Sequence, residues 1–539
     1  MTGNQHGFDA VTLEVLWTRL ISIVDEAAAA LVRTSFSTVV RESHDFSCVL
    51  TDEQGHSLVQ ATESIPSFIG TLPKTVGHFL AAYPPETLVP GDVMITNDPW
   101  LGTGHLPDIT VGRPIFLEKR MVGFAASTAH SPDIGGIVRS PVPREIFEEG
   151  FQIPIMKLID AGQPNETLLR LLRQNVRTPD LTTGDLWAQI TALDLIERRL
   201  LALMEEYRLS SLSALAAEIQ GRSERAMRGA IAGLPDGTYP AALQTDGLDE
   251  PLDIVMELVL KGDEIAMDFT GTSPQVARAI NLPMCYTYAM AAYGVKCVTA
   301  PGVPNNEGAF KPVTVTAPEG CLVNPVYPAS VGSRALTGHF VPTLVLQALS
   351  GIVPDRIMAA VGSPLWAITQ TGVDRQGKTF AHLFFFNGGM GGNPRRDGIG
   401  PLSWPSNISS TPTEVIEQLA PLHVKHRKLR PGSGGEGRFR GGMGQEILLE
   451  NRAQSPTAVT FLAERTRAPA PGVAGGRHGA AGEVRINGEA VDPKQQYILQ
   501  QGDTVLLRTP GGGGYGDPKQ RDPAGTARDL AMGYLTEGE

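Results

Sequence analysis

Apolar positions along this chain change period several times, and each change predicts a different element. Over residues 9–33, Leu13, Leu16, Leu20, Ile23 and Val24 recur at spacings of three and four, the signature of an amphipathic helix. From there to about residue 160 the pattern shifts to short strand-like runs: DFSCVL, VMITN, DITVGRPIF and MVGFAAS. Residues 165–233 return to helical spacing, with Leu and Ala at threes and fours. The turn sequence GLPDGT, starting at Gly233, closes that stretch. Strand runs DIVMELVL and EIAMDFTG resume to about residue 275. A helical pair is expected near 276–300 and 334–350, and residues 355–509 read mainly as strands and Gly-rich turns. A short helix over 523–537 ends the chain.

This order predicts an α+β, multi-domain fold with mixed and antiparallel sheets. A helical segment falls in its N-terminal half, and its C-terminal half is rich in strands and glycine. The expected division is 1–164 (first helix plus strands), 165–235 (mainly helical), 236–410 (mixed) and 411–539 (strand-rich, with a Gly-rich loop). Sixty glycines and forty-one prolines among 539 residues argue against a helical bundle or coiled coil. A net charge of −12, with no basic block longer than Lys425 to Arg430, argues against a nucleic-acid partner. The longest charge-free stretch, Ala279 to Val295, contains Asn, Pro, Thr and two Tyr, so no membrane span is expected. The first seventeen residues lack a basic region followed by an apolar core, so no signal peptide is expected and the cytoplasm is the default location. Cys48, Cys285, Cys297 and Cys321 form no CxxC pair and read as reduced thiols.

One short motif occurs twice. Residues 105–109 read HLPDI and residues 130–134 read HSPDI. Imidazole and carboxylate together suit a divalent metal such as Zn, Mn or Fe. Proline before each Asp disfavours helix, so each copy is expected in a loop at a strand end. The segment between them reads as two strands joined by the charged turn LEKR. A hairpin centred near Lys119 sets His105 opposite Asp133 and Asp108 opposite His130. Opposed side chains have Cβ atoms about 5 Å apart, close enough to share an ion. The competing reading is a turn motif used twice, each Asp capping its own backbone.

Upstream, GDVMITNDPWLGTGHLPD places Asn97 and Asp98 at a strand end before a Gly-rich loop. Asp98 is a candidate extra ligand, an orienting partner for a histidine, or a general base, with Asn97 beside it as a substrate contact. Asn-Asp-Pro is equally a turn initiator. His44, Asp45 and Glu63 are further polar residues beside strands. GVDRQGKT, residues 372–379, matches the P-loop pattern, but a strand follows it where a helix is required, so it reads as a hairpin turn. GGGGYG at 511–516 fits a dinucleotide fingerprint without a surrounding βαβ unit, and reads as a tight structural loop.

Several segments together carry a resemblance: DFSCVLTD (45–52), GDVMITNDPWLGTGHLPDITV (91–111), AHSPDIGG (129–136), VRTPDLTTGDLWAQI (176–190), MDFTGTSPQ (267–275), GEGRFRGGMG (435–444) and PGGGGYGDP (510–518). In collinear order they resemble the hydantoinase B / 5-oxoprolinase / acetone carboxylase alpha-subunit family. The resemblance implies an enzyme subunit that works with a hydantoinase A-like partner. That partner binds ATP and phosphorylates a carbonyl oxygen of the substrate, in a hetero-oligomer such as α2β2. The two HxPD motifs match the family's metal-binding blocks, which points to His105, Asp108, His130 and Asp133 as ligands. Trp100 stands where an aromatic such as Tyr is common, and the Val331-Gly332-Ser333-Arg334 block has its own variation.

Acetone carboxylase alpha subunits carry substantially more sequence, which favours the hydrolase branch. The leading expectation is therefore ATP-dependent opening of a cyclic amide such as a hydantoin, 5-oxoproline or another lactam. The alternative is a ketone carboxylase subunit. A third possibility is a scaffold without chemistry that supports an ATPase partner.

Overall fold

A computed structural model describes residues 8–535 except Val138 and Arg375. Residues 1–7, where the expectation about a signal peptide begins, and 536–537, the end of the expected terminal helix, lie outside the described residues. The chain is α+β, with antiparallel and mixed sheets, as its patterning implies.

The first helix runs Ala10–Thr34. Asp9 sets its start, because the carboxylate accepts the backbone N–H groups of Val11 and Thr12, both at 3.0 Å. Its apolar stripe packs on a second long helix, Pro179–Glu206, and the pair covers one face of a seven-stranded antiparallel sheet. The sheet order is Ser57–Gln60, Phe46–Thr51, Arg120–His130, Asp108–Leu117, Val93–Thr96, Met156–Asp160, Gln163–Pro164. Phe46, Cys48 and Leu50 face the two-helix layer, while Val49 joins a second core on the opposite face with Phe79 and Phe124. Every residue of Phe46–Thr51 is buried, so this antiparallel sheet is covered on both sides. That explains why its strands read as continuous apolar runs and not as alternation.

The expected helical stretch 165–233 is three helices: Glu166–Asn175, Pro179–Glu206 and Ser213–Ala232. A four-stranded sheet follows (Val313–Thr316, Glu264–Asp268, Leu252–Lys261, Gly237–Thr245), with one parallel pair between the first two strands. Helices Met284–Thr299 and Val341–Leu349 share its core. Two further sheets, of four and five strands, enclose a third core around Trp366, Phe384 and Phe461. Among the described residues no helix is long and apolar enough to cross a membrane. The sequence 372–379 is the turn between antiparallel strands Trp366–Val373 and Thr379–Phe386, with Asp374 accepting the N–H groups of Gln376 and Lys378.

The glycine-rich stretches do something that strands cannot. Segments near 389–392, 434–444, 472–479 and 511–514 lie side by side, joined by backbone bonds such as Gly512 N to Gly442 O (2.9 Å), Gly435 N to Gly512 O (2.8 Å) and Gly392 N to Gly513 O (2.9 Å). A Cβ on Gly512 would sit 2.0 Å from the Met390 carbonyl oxygen, and one on Gly514 2.0 Å from that of Glu436. Only chains without side chains approach so closely.

This packing makes Gly512→Ala a severe change. It drives a methyl into backbone that cannot yield, and destabilises the protein by about 3 kcal/mol or more in denaturant unfolding. A second prediction concerns His382, stacked between Phe380 and Phe384 at 5.2 and 5.9 Å. Burial lowers its imidazole from 6.5 to about 4. Between those values the unfolded chain takes up a proton that the folded chain resists, so stability falls as pH drops through that window. His382→Phe therefore raises stability at pH 5 by about 2 kcal/mol more than at pH 7, measured as unfolding midpoints at both values.

Candidate metal centre

The hairpin Asp108–Leu117/Arg120–His130 forms in the expected register at its open end, where Asp108 pairs directly with His130. A bulge between Ile115 and Phe116 adjusts the turn and leaves that pairing intact. The strand ends therefore bring an aspartate and a histidine together, and the loop entering Asp108 adds His105. Ligand atoms of His105, Asp108 and His130 all lie within 4.8 Å of one another, and the three residues are 1%, 2% and 3% exposed.

Hydrogen bonding fixes the state of His105. Its Nδ1 lies 3.0 Å from the Gly332 carbonyl oxygen, which can only accept, so Nδ1 carries the proton. The Nε2 lone pair then points toward Asp108 Oδ1 at 2.8 Å, and this buried nitrogen has no hydrogen-bond partner. Two acceptors facing each other in a dry interior are repulsive unless a cation lies between them. Burial and the charge of Arg334 lower the His105 imidazole to about 3, so protons do not compete for that lone pair at neutral pH. His130 Nδ1 also faces Asp108 Oδ1, at 3.0 Å, and lies 3.8 Å from Asp45 Oδ2.

Asp108 is the hub. Its Oδ2 accepts the Arg334 guanidinium at 2.6 Å and the Thr103 hydroxyl at 2.8 Å. Burial pushes its carboxyl up, but the Arg334 guanidinium and the hydrogen bonds it accepts outweigh that and hold it well below the usual carboxylate range. Arg334 is fixed in turn by the Thr103 carbonyl, which accepts from its Nε at 2.8 Å, and by the Tyr286 ring at 4.1 Å. Arg139 reaches in from beyond the hairpin, its Nη1 3.4 Å from His130 Nε2. Beside these groups lies a cavity of about 40 Å³, lined by His130, Arg139, Glu149 and Gly332 among others. It is large enough for a water molecule or two and too small for a whole ring substrate.

Other expected residues fall elsewhere. Asp133 does not face His105. The register carries one residue past His130, with Ser131 N donating to the Pro107 carbonyl at 2.7 Å, and the chain then turns away. The Asp133 carboxylate turns to Arg177, 2.8 Å from its Nη1 and bonded also to its backbone N–H, and accepts Gly135 N at 3.3 Å. The four-ligand arrangement is thus replaced by a gathered trio. Asp98 caps its own turn, accepting Trp100 N at 2.8 Å and Leu101 N at 3.3 Å, and is not gathered with the imidazoles. Asn97 spends its amide on backbone: Nδ2 donates to the Leu106 and Phe151 carbonyls, and Oδ1 accepts Ile153 N at 2.6 Å. It holds the loop through these three bonds. His44 and Glu63 face each other at 3.8 Å on the exposed surface. Asp45, buried against His130, is the carboxylate of that group which the structure brings to the trio, and burial raises its carboxyl.

Residues 9–518 match the family described as Hydantoinase B/oxoprolinase. The chain belongs to that family. The B-type component of a D-/L-hydantoinase from Pseudomonas sp. strain NS671 is 31% identical, with 98% of this chain and 93% of that protein covered. The beta chain of the caprolactamase from Pseudomonas jessenii is also 31% identical, over 98% and 94%. The crystal structure of the ATP-dependent caprolactamase from that organism superposes with a TM-score of 0.90 at 27% identity, covering 98% of this chain and 95% of that one. An acetone carboxylase structure shares the fold, with a TM-score of 0.87 at 19% identity over 98% of this chain and 78% of its own. Within this hydantoinase B fold the donor set of two imidazole nitrogens and one carboxylate fits a divalent cation such as Zn, Mn or Fe.

Placement of the two aspartates separates their substitutions. Asp108→Asn removes a charge from the trio and abolishes stoichiometric metal in the purified protein. Asp133→Ala leaves bound metal unchanged and lowers stability by about 2 kcal/mol, because it strips a buried partner from Arg177. Elemental analysis and unfolding curves on both variants check this.

Proposed function

We propose that this chain is the metal-dependent subunit of an ATP-dependent cyclic amidohydrolase. It hydrolyses a lactam, hydantoin or related ring activated by phosphorylation on a hydantoinase A-like partner, in a hetero-oligomer such as α2β2 and in the cytoplasm where ATP is supplied. The observation that carries this reading is the unpaired His105 Nε2, 2.8 Å from Asp108 Oδ1, with His130 Nδ1 3.0 Å from the same oxygen, in a buried site. The likeness to hydantoinase and caprolactamase components supports the substrate class.

An amide is a poor electrophile, and phosphorylating its oxygen makes the ring carbon more reactive toward water. The C–N bond then breaks with a proton going to the ring nitrogen, and a second water releases phosphate from the acyl phosphate left behind. The His105 Nε2, the Asp108 carboxylate and the His130 imidazole would hold the ion. A bound dication there supplies Lewis acidity toward water or the activated carbonyl. The chain's own residues do the rest. The covered sheet excludes bulk water and strengthens every charge interaction in the site. Arg334 fixes the Asp108 carboxylate with Oδ1 turned to the imidazoles. Arg139, whose Nε is buried without a partner, offers a donor to an anionic oxygen arriving at the cavity.

The test is ATP-coupled ring opening of hydantoin, 5-oxoproline and caprolactam, with and without the partner subunit. Turnover is expected only with both subunits and ATP, and His105→Ala and His130→Ala remove metal and turnover together. ATP-independent turnover by this chain alone would defeat the partner claim, and full activity in both alanine variants would leave only a scaffold. The ketone carboxylase alternative rests on fold likeness alone, and bicarbonate-dependent carboxylation of acetone would install it instead.

A further inference from the structure

The Gly332 carbonyl that sets the His105 tautomer belongs to an irregular segment, and a single side chain shapes that segment. Glu149 follows the short turn Ile146–Glu148 and is 5% exposed. Its Oε1 accepts three donors from consecutive residues: the Ser330 hydroxyl, Val331 N at 2.5 Å and Gly332 N at 2.7 Å. The two segments are also zipped by backbone, with Glu145 bridging Ala329 and Ile146 N donating to the Pro328 carbonyl at 3.0 Å. Gly332 presses on the carboxylate so closely that a Cβ there would lie 3.1 Å from Glu149 Cδ and Oε2. Glu149 pins the Val331–Gly332 peptide plane through the Gly332 N–H and so fixes where the Gly332 Cα stands. The next plane carries the Gly332 carbonyl; its Ser333 N–H donates to the Ala279 carbonyl at 2.7 Å, and from that anchored Cα the carbonyl meets His105 Nδ1 at 3.0 Å.

We infer that Glu149 is a positioning residue for the metal: by gathering the 330–332 backbone on one oxygen it aims the Gly332 carbonyl at His105 and leaves Nε2 free to ligate. The inference rests on the metal reading of the trio. An imidazole ligand whose other nitrogen loses its acceptor gains rotational and tautomeric freedom, and loss of such outer partners typically costs ~10–100-fold in metal affinity. Glutamine keeps the accepting oxygen and loses only the charge, so it separates aiming from electrostatics. Ala removes the acceptor, and Asp keeps the charge while shortening the reach.

The experiment is titration of the chelator-stripped chain with Zn²⁺ and with Mn²⁺, each variant held well below its unfolding midpoint. Wild type binds one equivalent, Glu149→Ala binds ~10–100-fold more weakly, and Glu149→Gln restores affinity to within about threefold of wild type. Glu149→Asp, which keeps the charge if Ala does not fold, is weakened like Ala. Wild-type affinity in the Ala or Asp variant overturns the inference. So does a Gln variant as weak as Ala, which would make charge and not aiming the cause. If wild type and His105→Ala bind the ions alike, the metal reading itself fails and the inference falls with it. If His105→Ala loses the ion while Glu149→Ala keeps it, the inference alone fails.

Discussion

The site depends on one buried carboxylate. Asp108 sits at 2% exposure with a charge that water cannot reach, and a lone carboxylate in that position would be prohibitively costly. The fold divides its two oxygens between two tasks. Oδ2 is neutralised by Arg334 and the Thr103 hydroxyl. Oδ1 is left facing His105 and His130. Because Arg334 stands 226 residues further along the chain, this balance exists only once the seven-stranded sheet and the segment after the four-stranded sheet have closed on each other. Folding and site formation are therefore one event, and the arginine that stabilises the carboxylate also decides which oxygen remains for an ion.

The sheet supplies what a surface loop could not. Asp108 and His130 are the first and last residues of adjacent strands, so their separation is set by ladder geometry and not by loop conformation. The helix pair on one face and a second core on the other keep the hairpin dry. Low dielectric is what makes opposed lone pairs intolerable without a cation, and what keeps His105 neutral. The same burial raises Glu149 to about 7, which its three hydrogen bonds partly offset.

How much of this is legible in the sequence follows interaction range. Helices such as Ala10–Thr34 announce themselves because their stripe is local, and so does the hairpin register, since the turn fixes it and both HxPD copies count outward from it. The register stops predicting two residues further on: Ser131 still meets the Pro107 carbonyl in register, but Asp133 finds Arg177, a partner that no short-range pattern reveals. Asn97 and Asp98 invite a chemical reading, yet local backbone uses their polar atoms, the turn chemistry Asn-Asp-Pro also encodes. Arg334, Arg139 and Glu149 carry no signal of their own, because lone charged residues far from the motif look like solvated surface. The glycine stretches are visible as composition, but their side-by-side packing depends on contacts among four distant segments.

Charge within the centre bears on the kind of substrate it suits. Asp45, Asp108 and Glu149 bring three carboxylates, and Arg139 and Arg334 bring two guanidiniums, all within one enclosed region. Burial raises the carboxyls of Asp45 and Glu149, so with two guanidiniums present a dication held by the trio would leave the region with a positive surplus. A neutral lactam gains little from such a surplus. A phosphorylated, anionic derivative gains directly, and the more so because screening is weak in a buried site. The electrostatics thus favour a division of labour in which activation precedes delivery. Under the proposed function, ATP consumed on the partner would change not only the reactivity of the ring carbon but also the charge of what reaches this centre.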